Sequence, residues 1–271
     1  MNNSLEIEFT DINFWLGENF ISPRFNVFDE KAQNEIKTNS NERNIKTVFL
    51  SSFLSLYHSA KRGNDLISMF LEKSKIPGIS LYGTLFFEQE NFFKIGDFHK
   101  GIIKRYDEGF RMLRLLPKSN KYPYEAGLFK DFYEVLNELK FPLILSLDET
   151  DITGDKSIEW NKILDIAQKY EKMPIIIDGA DSKELLYSSY LLALLRNSSN
   201  IHIETHNLLA FNQIEDLAEF AGAGRLIYGS YYPFFSASIS SSRIVNCGLG
   251  SSDKQKIASL NMEKILNEIN L

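Results

Sequence analysis

Strand-like and helix-like segments alternate along this chain eight times, with short connections between them. Strands that alternate with helices in this way pair in parallel, and eight such units close into a barrel. We therefore predict an α/β fold, a single (β/α)8 TIM barrel. The predicted strands cover residues 7–16, 47–53, 79–86, 110–116, 142–147, 174–177, 201–204 and 225–228.

The predicted helices differ in how clearly the sequence marks them. Residues 125–139 give a clear amphipathic pattern, while residues 29–43 are polar and predict either a solvated helix or a partly disordered segment. The Ser-rich residues 236–242 predict a loop at the C-terminal face of the barrel, where ligands bind in this fold. The other predicted helices cover residues 64–74, 92–108, 158–170, a segment beginning at 182, 214–221 and 252–268.

Length and composition agree with one domain over residues 1–271. The formal net charge of -6 argues against a broad nucleic-acid-binding surface. Cys247 is the only cysteine, which excludes an internal disulfide and a thiolate-rich zinc site. No apolar run reaches the roughly 18 residues of a membrane span, and the first residues lack a signal-peptide pattern. These features predict a cytoplasmic protein that does not interact with membranes.

Several segments carry the motifs of one known family, in the same order and over nearly the whole chain. Residues 224–235, G-R-L-I-Y-G-S-Y-Y-P-F-F, resemble its last barrel strand, G-A-x-R-I-L-F-G-S-D-Y-P. Residues 11–17, D-I-N-F-W-L-G, resemble its opening strand, D-x-H-x-H-x-G. The segments at 109–117, 141–145, 173–177 and 252–266 resemble its fourth, fifth and sixth strands and its final helix. The chain thus resembles the amidohydrolase-related family, and the resemblance implies the metal-dependent-hydrolase type of barrel.

The positions that hold the metal in that family carry other residues here. The two histidines of the opening strand are replaced by Asn13 and Trp15, and the acidic residue of the last strand is replaced by Tyr231. The fifth strand has no histidine near its end, and the sixth ends in Asp178 instead of histidine. One carboxylate does not hold zinc or a similar ion against water. We therefore expect no metal or other cofactor, and no metal-hydroxide mechanism.

Three ionisable residues at strand ends are the catalytic candidates. Glu204 and His206 end the seventh strand, and strand alternation puts them on one side together with His202. Either one is a candidate general base, and the alternative is a surface histidine beside a structural ion pair. Asp178 ends a buried apolar strand, where a carboxylate needs a partner. Its role is either acid–base chemistry or a hydrogen bond to the side chain of Asn13.

The substrate-binding candidates lie at the same end of the predicted barrel. Asp148 and Glu149 follow the fifth strand and are either an acid–base pair with Asp178 or part of a polar loop. Arg111 and Arg114 face opposite sides of the fourth strand, so one of them enters the barrel, as a carboxylate ligand or in a core ion pair. Arg114 is our candidate.

The aromatic residues at the replaced ligand positions allow two interpretations. Trp15 and Tyr231 either stack on a planar ligand or fill the space of the missing ion and its waters. His58, in the loop after the second strand, is a weaker candidate, because most loop histidines are solvated. Cys247 has no histidine near it in sequence and is interpreted as structural.

Two functions from different classes follow from these residues. The first is a hydrolase of a small ester, lactone or amide that acts without a conventional metal, with Asp178, Glu204 or His206 activating water. The second is a catalytically inactive barrel that binds a small molecule or a protein partner. An open polar pocket would favour the first, and closure by Trp15 and Tyr231 would favour the second. A small molecule at the C-terminal face is the expected ligand, and a homo-oligomer is compatible with the sequence.

Overall fold

Eight parallel strands form one sheet in which every strand pairs with the next along the chain. The computed structural model describes residues 7–17, 30–88, 97–120, 123–147, 158–179 and 189–271. The sheet closes where Trp15 N donates to Tyr232 O at 2.8 Å and Phe14 bridges Tyr232. The predicted (β/α)8 barrel is thereby confirmed. Its strands are β1 Phe9–Leu16, β2 Ile45–Ser52, β3 Ser80–Phe86, β4 Phe110–Leu115, β5 Leu143–Ser146, β6 Ile175–Asp178, β7 Ile201–Glu204 and β8 Leu226–Ile227.

Helices connect the strands and cover the outside of the barrel. A 3₁₀ turn, Ala223–Arg225, precedes β8, and a π-helical turn, Lys256–Leu260, interrupts the predicted C-terminal helix. No helix in the described part of the chain is long and apolar enough to span a bilayer. The helices are α1 Glu30–Arg43, α2 Phe53–Tyr57, α3 Ala60–Lys73, α4 Phe98–Asp107, α5 Lys130–Glu138, α6 Trp160–Lys169, α7 Ser189–Asn197, α8 Gln213–Ala221, α9 Ala237–Asn246, α10 Ser251–Gln255 and α11 Asn261–Asn267.

The Ser-rich segment corrects one prediction. Most of residues 236–242, predicted to be a loop, belong to α9. Serine disfavours helix interiors when its hydroxyl competes for backbone groups, but here Ser240 and Ser241 are buried against the barrel, and Ser240 Oγ donates to Ser230 O at 2.9 Å. The polar residues predicted as a helix or partly disordered form α1 from residue 30 onward, with Ala32 and Ile36 buried.

The interior of the barrel is built in three layers, because alternate side chains of each strand point inward. The lowest layer is apolar, and α11 closes it from below with Met262 and Ile265. The highest layer is mainly aromatic, with Trp15, Phe53, Phe86 and Leu116 at its centre. Between them lies a polar layer, which contains the candidate site. The inward residues of the lowest layer are Ile12, Phe49, Met112, Ile144, Ile176 and Ile227.

Candidate active site

The polar layer takes one residue from almost every strand, two positions after the apolar residue of the layer below. Met112 is thus followed by Arg114 on β4, and Ile176 by Asp178 on β6. A bulge in β1 brings Asn13 into the same layer. Buried polar groups are costly unless they are hydrogen-bonded. The members of this layer are Asn13, Ser51, Thr84, Arg114, Ser146, Asp178 and Glu204, each at most 5% exposed.

Asp178 on β6 is held by an arginine from β4, two strands away in the sheet. Arg114 Nη1 forms an ion pair with Asp178 Oδ2. Ser146 joins the pair, since its Oγ accepts from Arg114 Nη1 at 2.7 Å and donates to Asp178 Oδ2 at 2.9 Å. The guanidinium also lies over Trp15, with its central carbon 5.0 Å from the ring centroid. Arg114 therefore supplies the positive charge of the layer.

Asn13 links the two carboxylates of the site. Its Oδ1 accepts from Trp15 Nε1 at 2.8 Å and from Arg114 Nη2 at 3.0 Å. Its Nδ2 donates to Asp178 Oδ1 at 3.0 Å and to Glu204 Oε2 at 3.1 Å. Both donors and both acceptors agree on one orientation of the amide. The hydrogen bond expected between Asp178 and Asn13 is present.

His206 completes the cluster from the end of β7. Its Nδ1 contacts Glu204 Oε2 and lies 3.2 Å from Asp178 Oδ1. The backbone N–H of His206 donates to Glu204 Oε1 at 2.8 Å, which orients the carboxylate below the ring. The ring of Tyr231 stacks on the imidazole with centroids 4.2 Å apart. The imidazole is therefore clamped between a carboxylate and an aromatic face, and it is fully buried.

The two carboxylates titrate in opposite directions. Burial opposes ionisation of Asp178, but Arg114 and then His206 outweigh it and lower the pKa of this carboxyl far below its usual range. Burial raises the pKa of Glu204, and neighbouring Asp178 adds to the increase, while His206 opposes it. The difference follows from position, because Arg114 pairs with Asp178 and not with Glu204. Asp178 is thus a fixed anion, whereas the carboxyl of Glu204 is harder to ionise than usual.

Gly229 and Asp11 shape the contact between β1 and the residues after β8. A Cβ on Gly229 would lie 2.3 Å from Glu204 Oε1, so a side chain there would displace the carboxylate. Asp11 Oδ1 accepts the backbone N–H groups of Asn13 at 3.0 Å and Ser230 at 2.9 Å, which ties β1 to the residues after β8. Burial raises the pKa of Asp11, against hydrogen bonds that lower it.

The donor set permits a test of whether a metal fits. Asp178, Glu204 and His206 are residue types that bind zinc, manganese or iron, and one ligand atom from each lies within 4.8 Å of the others. The carboxylate oxygens of this set already have partners. Asn13 Nδ2 contacts Asp178 Oδ1 and Glu204 Oε2, and His206 Nδ1 contacts the same two oxygens. An ion between the carboxylates would displace both nitrogens, and Arg114 already neutralises Asp178. In this arrangement the residues do not fit a metal.

The other candidates from the sequence lie outside this cluster or outside the described residues. Arg111 faces away from the polar layer and donates to Tyr106 O at 2.7 Å, so Arg114 is the arginine that enters the barrel. His58 is exposed, and Cys247 lies at the end of α9 with its Sγ 3.1 Å from Ile244 O. Asp148 and Glu149 fall within residues 148–157, which the structure does not describe.

The aromatic layer covers the cluster. Trp15 stacks on Phe53 with ring centroids 5.1 Å apart, and Tyr231 stacks on Phe234 at 4.8 Å. Trp15 is 4% exposed and Tyr231 is partly buried. Strands β1, β3, β5 and β6 end at this side of the barrel, and the residues that follow them in sequence fall largely outside the described part of the chain. Trp15 and Tyr231, which stand at two of the replaced ligand positions, therefore both cover the site.

Sequence reasoning missed four members of the site. Ser51, Thr84 and Ser146 stand at inward positions of their strands, but a single small polar residue in an apolar run carries little weight by itself. The usable signal was their spacing, since each lies two residues after an inward apolar residue, as Arg114 does. Asp11 stood within a quoted motif, yet its clamp on Ser230 depends on barrel closure across 219 positions.

Solved structures of enzymes share this barrel. The structure is similar to 2,6-dihydroxybenzoate decarboxylase from Rhizobium, with 13% identity, a TM-score of 0.69, and 96% of this chain and 99% of that chain covered. Dihydroxybenzoic acid decarboxylase from Polaromonas sp. JS666, solved with manganese and the inhibitor 2-nitroresorcinol, is 14% identical, with a TM-score of 0.70 and 98% of each chain covered. A Pseudomonas putida protein described as a candidate 2-pyrone-4,6-dicarboxylic acid hydrolase is 14% identical, with a TM-score of 0.69 and coverage of 98% and 100%.

These likenesses show the fold alone, which is a (β/α)8 barrel. No protein-family model matches the sequence, and no curated protein is significantly similar to it. The chemistry of the site therefore has to be argued from the residues of this chain.

Proposed function

We propose that this chain, which has the barrel of amidohydrolase-superfamily enzymes, hydrolyses a small ester, lactone or amide with Glu204 and His206 as its acid–base pair. One observation carries the proposal: the environments of Asp178 and Glu204 shift the pKa values of these two carboxyls in opposite directions beside a single imidazole. Such divergence is characteristic of carboxylates that have different roles in catalysis. Asp178 keeps a fixed negative charge, and the pair exchanges the proton.

The proton transfers follow from this division of roles. His206 accepts a proton from water as the water oxygen bonds to the carbonyl carbon of the substrate. Glu204, in contact with Nδ1, stabilises the imidazolium that forms and fixes which ring nitrogen faces the reaction. When the tetrahedral intermediate collapses, the bond to the leaving group breaks, and the leaving oxygen or nitrogen takes the proton from His206. Water is consumed, and an acid and an alcohol or amine are released.

Arg114 gives this site its own cation. In metal-dependent hydrolysis the ion polarises the carbonyl and activates water. Here the guanidinium neutralises Asp178 and contacts Asn13, so the layer holds its negative charge without an ion. The proposed route therefore needs no metal. The Pseudomonas putida neighbour described as a candidate pyrone hydrolase supports the substrate class by analogy of fold, since a pyrone is a cyclic ester.

A second function is favoured by the burial of the cluster. Asp178 and Glu204 are each 1% exposed and His206 is 0% exposed beneath the aromatic layer. A barrel that stays closed in this way would bind a ligand or a partner at its rim without catalysis.

A hydrolysis assay with chelator-treated protein tests the proposed function. A panel of aryl esters, γ- and δ-lactones and anilides is assayed by product release, with dihydroxybenzoates included to detect decarboxylation. We expect at least one ester or lactone to be cleaved at a rate that chelator leaves unchanged. His206→Asn and Glu204→Gln should each lose about 10²–10⁴-fold in rate, and His99→Asn, on the exposed face of α4, should lose nothing.

The outcomes separate the two functions. Cleavage that disappears in the His206 and Glu204 variants supports the hydrolase. No cleavage of any compound, together with unchanged folding of all variants by circular dichroism, supports the closed barrel. Cleavage that survives both substitutions, or decarboxylation without hydrolysis, contradicts the assigned chemistry.

A further inference from the structure

Three buried hydrogen-bond donors on adjacent strands have no acceptor among the described residues. They are Ser51 Oγ on β2, Thr84 Oγ1 on β3 and Arg114 Nε on β4. Ser51 and Thr84 are 0% exposed and Arg114 is 1% exposed. Buried donors are nearly always satisfied in native proteins, by protein, water or ligand. Three such groups on neighbouring strands therefore mark a place where a partner binds.

The three groups point into the barrel at the height of the polar layer. Ser51 lies two residues after Phe49, which is in the lowest inward layer. A Cβ on Gly83 would meet Ile67 of α3 and Phe110 of the outer core, so Gly83 faces outward and Thr84 faces inward. Leu50 pairs with Gly83, the residues directly before Ser51 and Thr84, and Thr84 pairs with Met112, two residues before Arg114.

This wall differs from the wall that carries the acid–base pair. On β5 to β7, Ser146, Asp178 and Glu204 bond to one another, to Asn13 or to Arg114. On β2 to β4 the donors remain without acceptors among the described residues. The polar layer is thus divided into a saturated half and an open half. Layers of apolar and aromatic side chains lie below and above both halves.

Charge indicates which acceptor the open half would take. The positive charge of Arg114 is already paired with Asp178, so Nε offers a directed N–H and little uncompensated charge. The two hydroxyls add donors without charge. A full anion would bring a further negative charge into a layer that already holds the carboxyl groups of Asp178 and Glu204. A neutral carbonyl oxygen, which becomes negative only during reaction, fits this set better.

We propose that Ser51, Thr84 and Arg114 Nε bind the carbonyl oxygen of a small neutral ester, lactone or amide. This inference rests on the proposed hydrolase function and assigns the substrate's orientation within it. As water bonds to the carbonyl carbon, the π electrons of the carbonyl move onto this oxygen, and the three donors stabilise the charge. The electrons return when the leaving group departs with the proton from His206. The acid–base pair acts on the opposite side of the carbonyl carbon.

Trp15 provides a reporter of binding that does not depend on turnover. Its ring lies over the Arg114 guanidinium, with 5.0 Å between the central carbon and the ring centroid. The chain has one other tryptophan, Trp160, at the start of α6 outside the barrel. In a Trp160→Phe background, tryptophan fluorescence therefore reports on the surroundings of Trp15 and Arg114 alone.

The experiment titrates the Trp160→Phe protein with δ-valerolactam, a cyclic amide, and with tetrahydropyran, a ring of similar size that lacks the carbonyl. We expect the lactam to change the fluorescence saturably and tetrahydropyran to bind at least tenfold more weakly. Ser51→Ala and Thr84→Val should each weaken the lactam at least tenfold. With a cleaved ester, the same variants should raise KM by about the factor by which they weaken the lactam, and they should also lower kcat about 10²-fold, because the donors stabilise the charge that develops on the oxygen.

A matched control separates binding from structure. Ser40 is also buried, and its Oγ has no partner among the described residues, but it lies on α1 outside the barrel. Ser40→Ala should leave lactam binding unchanged. Ser51→Ala and Thr84→Val should leave thermal stability of the free protein equal or higher, because each removes an unsatisfied buried hydroxyl. Lower binding with undiminished stability is a result that a merely structural role would not give.

The outcomes also distinguish this inference from the proposed function. Lactam binding that is lost in both variants, without hydrolysis of any ester, supports the oxygen site and contradicts the hydrolase. Hydrolysis with unchanged kcat and unchanged lactam affinity in both variants overturns the oxygen site, since water alone then satisfies the donors. Absence of lactam binding to the protein with intact Ser51 and Thr84 overturns it as well.

Discussion

At the scale of single residues, Arg114 organises the site. One guanidinium pairs with Asp178, donates to Asn13 Oδ1 at 3.0 Å and lies against Trp15. Its Nε is left for the open half of the layer. A flexible lysine could not make these contacts together, because they depend on the planar fork of the guanidinium. The electrostatics of the cluster therefore depend on this side chain more than on either carboxylate.

Removal of Arg114 should leave an uncompensated buried charge. Arg114→Met is expected to lower the free energy of unfolding by about 3–5 kcal/mol, the usual result of breaking a buried ion pair from one side. Arg114→Met combined with Asp178→Asn should recover at least about 2 kcal/mol of that loss, because no unpaired charge remains. Unfolding of the single and double variants in guanidinium chloride measures the loss of free energy of unfolding and the part that is recovered.

Arg111→Met is the matched control, since Arg111 lies three positions earlier on the same strand and outside the barrel. Its side chain contacts the Tyr106 ring at 3.7 Å and the Tyr106 carbonyl at 2.7 Å. Its loss should cost about 1 kcal/mol. An equal cost for the two arginines would contradict the central role of Arg114.

His202 should make stability depend on pH. Burial, and then nearby Arg225, lower the pKa of this imidazole to about 3. In the unfolded chain the pKa of a histidine is about 6.5. Between that pH and about 3, the unfolded chain therefore binds a proton that the folded chain does not bind. The stabilisation is complete above the unfolded pKa and is lost as the pH falls from there toward 3. His202→Gln should reduce the slope of stability against pH by up to about 1 kcal/mol per pH unit below 6.5.

Unfolding by guanidinium at several pH values between 7 and 5 checks this prediction. His99→Gln, on the exposed face of α4, serves as the control and should keep the slope of the unmodified protein. If His202→Gln keeps that slope too, the imidazole is protonated in the fold, and its assigned environment is wrong.

The site residues could be predicted from sequence only in part. Asp178, Glu204 and His206 follow apolar strands directly, and parallel strands of a barrel bring such ends together. Their contacts with one another are therefore a consequence of fold. The choice between Arg111 and Arg114 needed the register of β4, because both stand on the same strand three residues apart. Ser51 and Thr84 have no distinguishing sequence mark.

At the scale of elements, β8 shows how a short strand shapes the site. It spans only Leu226–Ile227, and the chain then passes Gly229, whose missing side chain leaves space for Glu204. Tyr231 adopts a left-handed backbone conformation with φ of 57°, which is uncommon for a bulky residue. This conformation coincides with the stacking of its ring on His206. The segment after β8 thus leaves space for Glu204 at Gly229 and places the Tyr231 ring against His206.

Gly229→Ala should disturb that segment. The new Cβ would lie 2.3 Å from Glu204 Oε1 and 2.9 Å from the Cβ of Asn13. Overpacking in a core of this kind costs about 1–3 kcal/mol, and the displaced carboxylate should lower hydrolysis as well. Gly224→Ala is the control, since a Cβ there meets only Asn261 Oδ1, at 4.0 Å. Equal stability and activity of the two variants would contradict the described packing around Glu204.

The elements themselves were largely predictable. Apolar runs and helical spacing located the eight strands and most helices, because these periods reflect burial on one face. The exceptions depend on tertiary contacts. Residues 236–242 form helix because Ser240 and Ser241 bury against the barrel, which local propensity does not encode. The π-helical turn Lys256–Leu260 lies where Ile257 O accepts Tyr228 N at 3.0 Å.

At the scale of the whole molecule, barrel closure creates the chemistry. Asn13 comes from the first strand and contacts Asp178 of the sixth and Glu204 of the seventh. The repeated strand and helix pattern predicted that these ends meet, but not that their side chains would saturate one another. Because other residues replace the ligand histidines of the resembled family, we expected a site without a metal. In the structure, Arg114 and Asn13 contact the carboxylate of Asp178.

We propose that Arg114, and not a metal ion, balances the charge of this site. Elemental analysis is the decisive measurement, on protein produced in medium supplemented with zinc and manganese and purified without chelator. We expect far less than one equivalent of any transition metal per chain, in the intact protein and in Asp178→Asn alike. One equivalent of zinc, manganese or iron in the intact protein, lost in Asp178→Asn or His206→Asn, would contradict it.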